Sequence, residues 1–108
     1  MTTLPGRWAL TMTTPIGRIQ ADADFTATDH AIIGTAAGKG ETVELTNIRT
    51  EPAEGGGERV TWSQAITKPM RLNLDFDVVI EGDDMRGYSR AGRLPRSAVS
   101  GRRVPAEG

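Results

Sequence analysis

The chain has no cysteine, a single histidine and only 5% aromatic residues in its 108 positions. Without cysteine there is no disulfide, no thiolate nucleophile and no Cys-based metal site. The one histidine, His30, has no second His or carboxylate cluster at ligand spacing, so neither a metal nor a cofactor is expected. No apolar run approaches the ~20 residues of a membrane-spanning helix, so no membrane association is expected. The opening Met1-Thr-Thr-Leu-Pro-Gly-Arg7 lacks the basic start and apolar stretch of a signal peptide. A soluble cytoplasmic protein is the expectation. Net charge is −1 and stacking aromatics are scarce, which argues against nucleic acid as a partner.

What the chain does have is alternation. From Met70 to Ile80, Met70, Leu72, Leu74, Phe76, Val78 and Ile80 occupy every second position, with Arg71, Asn73, Asp75 and Asp77 among the residues between. A period of two marks a β-strand with one buried and one solvated face. Shorter segments repeat the pattern: Arg7 to Thr13, Arg18 to Phe25, Ala31 to Ala36, Thr42 to Arg49, Arg59 to Gln64, Met85 to Arg90 and Ala98 to Val104. Glycine is abundant, at 13 residues, and Gly17, Gly38-Lys-Gly40, Glu81-Gly-Asp83 and Gly92 punctuate the strands. Glu51 to Glu58, with Gly55-Gly-Gly57 inside it, reads as the longest and most mobile loop, and whether it acts as a lid is left open by the sequence.

Eight strands, short connections and no helical periodicity predict an all-β fold, a small antiparallel up-and-down eight-stranded barrel, in one domain over residues 1–108. Closure removes the exposed edges of the sheet. Eight strands enclose an interior either just filled by side chains or just able to hold one small ligand. A faint repeat, Ile32-Ile-Gly34 against Met85-Arg-Gly87, places a glycine inside two strands, where the sharp coiling of a narrow barrel needs it.

These features resemble the calycin group, the avidin-like and small lipocalin-like barrels, through Gly6-x-Trp8 and the hairpin-linked alternating strands. Trp8-x-Leu-x-Met-x-Thr-Pro-x-Gly17, Thr67-x-Pro-Met70, Glu81-Gly-Asp-x-Met-x-Gly87 and Ser100-Gly-Arg102 are similar to a family of bacterial barrels of about this size, also found appended to larger hydrolases. The resemblance implies the fold. It does not carry over biotin binding, because avidin's biotin contacts have no counterparts here.

The inward faces of the predicted strands carry Trp8, Met12, Phe25, Trp62, Met70, Phe76 and Met85. Their plain reading is core packing; the alternative is the wall of an apolar ligand site. Gln64 shares a face with Trp62 and Val60. It is therefore either a polar handle in a pocket or a strand-end residue relaxing into solvent. Gln64, Glu44 and His30 are the catalytic candidates, although His30 follows Asp29 in a turn where a solvated imidazole is the plainer reading. Asp22-x-Asp24 and Asp75-x-Asp77 each put two carboxylates on one face, opposite the apolar one, and so belong to solvent. After residue 85 come Arg86, Arg90, Arg93, Arg96, Arg102 and Arg103 against Glu107 alone.

Three functions follow. The first is binding of a small apolar or aromatic molecule inside the barrel. The second is a cofactor-independent cyclase, isomerase or lyase of specialised metabolism that confines its substrate in the same cavity. The third is a filled barrel acting as a structural or interaction module through its arginine-rich third. A homodimer is compatible with each.

Overall fold

Alternation becomes strand throughout the computed structural model, which describes residues 2–14, 17–38, 40–67 and 71–105. The described residues form β1 (Gly6–Thr14), β2 (Gly17–Ala27), β3 (Ile32–Gly38), β4 (Glu41–Glu44), β5 (Thr46–Pro52), β6 (Glu58–Ile66), β7 (Leu72–Glu81), β8 (Asp84–Ala91) and β9 (Ser97–Val104). They contain no helix, and hence none long and apolar enough to cross a membrane. All nine described strands belong to one antiparallel sheet in the order β4-β3-β2-β1-β9-β8-β7-β6-β5.

The two ends of that order, β4 and β5, are consecutive in the chain with Leu45 alone between them. The sheet is therefore an up-and-down barrel, nearly closed. The count of nine corrects the expected eight. The strand predicted from Thr42 to Arg49 bends at Leu45, so that its first part pairs with β3 and its second with β6. Leu45 turns its side chain into the core, and its N–H donates to the Gly34 carbonyl at 2.9 Å. Beyond the bend the register slips between the Thr46–Ser63 and Arg49–Thr61 pairs, and Asn47 takes a φ of 53°. Asparagine tolerates that left-handed conformation better than most residues.

Rows of paired residues run obliquely to the barrel axis, as closure requires. One row passes from Val43 through Ala36 and Ala23 to Trp8 and Arg103, descending from one end of the barrel to the other. The lower end is sealed. Leu4 and Trp8 are fully buried, and the Trp8 indole N–H donates to the Leu4 carbonyl at 2.9 Å. Arg103 lies 4.3 Å over the Trp8 ring and donates to the carbonyls of Thr3 and Pro5 and to Asp83. The segment before β1 is thus fastened across this end, and full burial of Leu4 is worth roughly 1.5–3 kcal/mol.

Above it, Val60, Val78, Ile80 and Met85 fill the interior. Higher again lies a layer of rings: Trp62 stacks on Phe76 with centroids 4.7 Å apart, and Phe25 meets Trp62 edge-on at 5.4 Å. The loop between β5 and β6, expected over Glu51 to Glu58, spans residues 53–57. It sits at the sealed end, where Glu58 accepts hydrogen bonds from Thr3.

Candidate functional site

The opposite end of the barrel, where β1 finishes and β2 begins, is open. A cavity of about 350 Å³ enters there. Ile19, Val43, Ile66, Leu72 and Leu74 supply most of its apolar wall, and Leu94 and Pro95 stand at the turn between β8 and β9. The space exists because the inward positions of β2 and β3 are small here. Ala21, Ala36 and Gly38 occupy places that Trp62 and Phe76 fill elsewhere. At the ~30 Å³ one water occupies in the liquid, the cavity has room for about a dozen waters, or a molecule with a comparable number of non-hydrogen atoms.

Two polar side chains reach this space from within. Gln64, near the end of β6, is 7% exposed, and Ser89, in β8, is 4% exposed. They are the buried polar residues among those described, and both line the cavity. Gln64 uses its side-chain oxygen to accept from the Trp62 indole N–H at 3.0 Å. No polar side-chain atom sealed inside the described structure lacks a partner, so the Gln64 amide nitrogen and the Ser89 hydroxyl, which bond to no described group, open onto the cavity. At the mouth, the Glu41 carboxylate accepts from both the backbone N–H and the hydroxyl of Thr67. It thereby ties β4 to the end of β6 across the seam of the barrel.

Of the residues expected to wall a ligand, Met12 and Gln64 line this cavity. Trp8 and Met85 are packed at the sealed end, and Phe25, Trp62 and Phe76 form the ring layer below the cavity. Met70 lies outside the described residues. Among the catalytic candidates Gln64 alone reaches the cavity; Glu44 is on the outer face of β4, and His30 is exposed in the turn between β2 and β3. Ser89 was overlooked, although its alternation with Met85 and Gly87 turns it inward. Ala21 and Ala36 were overlooked because they are small.

The outer wall carries a shallower depression of about 450 Å³ across β5 to β8, bordered by Arg49, Asp75, Asp77, Tyr88, Arg90 and Arg96. Much of its polar capacity is already engaged. Arg59 grips Asp77 with two N–H groups at 2.9 and 2.7 Å and reaches Glu51 at 3.1 Å. That guanidinium holds the Asp77 carboxyl below the usual carboxylate range, and its own proton is held correspondingly tighter. Asp75 accepts from Ser63 at 2.7 Å, and Arg96 covers the Tyr88 ring at 4.2 Å. Asp75 and Asp77 therefore belong to the solvated face, as do Asp22 and Asp24.

No family model, curated protein or solved structure matches the chain.

Proposed function

We propose that this protein is a calycin-like barrel that holds one small, mostly apolar molecule in the open end of its cavity. The observation carrying the reading is the division of the interior. One half is packed and capped, whereas the other is an apolar hollow into which two buried polar side chains turn spare hydrogen-bonding groups. Ligand sites commonly combine apolar walls with a few fixed polar groups, in volumes of ~300–1,000 Å³. An interior serving only structure would gain from larger side chains at Ala21 and Ala36, because unfilled volume is destabilising.

A cyclase, isomerase or lyase working in the same space would act by confinement, with Gln64 or Ser89 assisting, since Glu44 and His30 stand outside it. The arginine-rich last third is less suited to a partner surface than its composition suggests. Arg103 is consumed in sealing the barrel, Arg96 covers Tyr88, and Arg102 faces Asp84 at 3.7 Å.

Native mass spectrometry of the gently purified protein, set against its denatured mass, tests the proposal. The expected result is a reproducible excess of roughly one to three hundred daltons. A bare mass after purification, and again after incubation with a panel of one- and two-ring aromatic compounds, would overturn it.

A further inference from the structure

We infer that the molecule held in the cavity, on the reading above, enters with a neutral hydrogen-bond-accepting oxygen, a carbonyl or ether, at its buried end. The reason begins at Trp62. An indole N–H can only donate, and it lies 3.0 Å from the Gln64 side chain, so the atom facing it is the amide oxygen. Trp62 cannot swing away to release that oxygen. It is 2% exposed, stacked on Phe76 and braced edge-on by Phe25. The orientation of the Gln64 amide is therefore fixed by its neighbour, and what it turns towards the cavity is the NH2 group.

Ser89 adds a hydroxyl that can serve either way, so the inner wall is chiefly a donor surface. Charge does not suit it. Glu41 is the one ionisable side chain among the described lining residues, and its carboxylate is engaged by Thr67 at the mouth. A carboxylate ligand would be desolvated beside Gln64 with no cation among the described lining residues to meet it, and an ammonium would face donors. A pure hydrocarbon would displace water from the NH2 group and leave it unbonded, the situation by which buried polar groups reject analogues lacking the matching atom. A neutral carbonyl or ether oxygen fits all three conditions.

Acetophenone, cumene and 1-phenylethylamine have the same number and connectivity of heavy atoms and differ in one substituent on the carbon next to the ring: a carbonyl oxygen, a methyl group and an ammonium group. Their binding to the intact chain at neutral pH is measured by isothermal titration calorimetry, with circular dichroism to verify the fold of each variant. Gln64→Met should weaken acetophenone roughly three- to tenfold and leave cumene unchanged or tighter. Gln64→Glu keeps an acceptor for Trp62 and so guards against a variant that fails to fold. It should lose the ketone and gain the amine. If binding persists but neither substitution changes the order of the three compounds, the acceptor assignment is wrong while the cavity reading stands. If none of the three binds the wild-type chain at millimolar concentration, both fall.

Discussion

A methyl group added at Gly87 would sit 2.0 Å from the Asp77 carbonyl oxygen and 2.6 Å from the Val78 Cα. At Gly34 it would meet the Asp24 carbonyl at 2.9 Å and the Phe25 ring at 3.1 Å. Both glycines face inward on strands whose neighbours coil tightly, so the repeated strand glycine visible in the sequence has a steric cause. Gly87→Ala should lower the stability measured by urea unfolding by about 3 kcal/mol, the upper end of the range for overpacking. Ala98→Val, on the exposed face of β9, should change it by less than ~0.5 kcal/mol. Asp77 offers a second test at this scale. Its folded pKa is depressed by Arg59, so the stabilisation is complete above the ordinary carboxylate value of 3.8 and is lost as pH falls through the lower folded value. Asp77→Asn should thus cost a little stability at neutral pH and flatten the acid limb of the unfolding midpoint against pH. An unchanged limb would place the acid sensitivity elsewhere.

The strands were legible because each buries one face, and period two records that directly. β1, β2, β3, β6, β7, β8 and β9 begin and end within two residues of the alternating segments. The bend between β4 and β5 was not read, because the alternation of Val43 and Leu45 lapses for one step at the exposed Asn47 and resumes out of phase at Ile48, a change easily passed over inside one short segment. The slip that follows depends on Asn47, whose positive φ costs a β-branched residue more than asparagine. Asn47→Val should destabilise the barrel by roughly 1–2 kcal/mol, whereas Asn47→Gly should be close to neutral. Equal effects of the two would mean that backbone conformation is not what fixes asparagine there. The loop between β5 and β6 is shorter than the expected Glu51 to Glu58, because β5 runs on to Pro52 and β6 starts at Glu58. Its three glycines take positive φ, and the Ala53 N–H donates to the Gly57 carbonyl at 3.1 Å, closing a short turn.

Taken whole, the molecule is a barrel filled from one end. Large residues draw attention in a sequence, and here they mark where the interior is packed: Trp8 and Met85 low down, the three rings across the middle. The open half is marked by alanine and glycine, whose effect depends on what faces them across the barrel, and alternation alone does not give that pairing. Leu4 lies before the first strand and carries no periodic signal, yet it closes the packed end. Leu4→Ala should cost about 2–5 kcal/mol in a denaturation experiment, and a cost near zero would show that the seal contributes nothing. The division into a packed half and a receptive half is the claim on which the functional reading rests. It is tested most directly by methyl-labelled NMR of the protein titrated with acetophenone. Shifts are predicted at Ile19, Val43, Ile66, Leu72 and Leu74, with Leu4, Val60, Val78 and Ile80 unmoved. Shifts centred on the second group, or none at all, would contradict it.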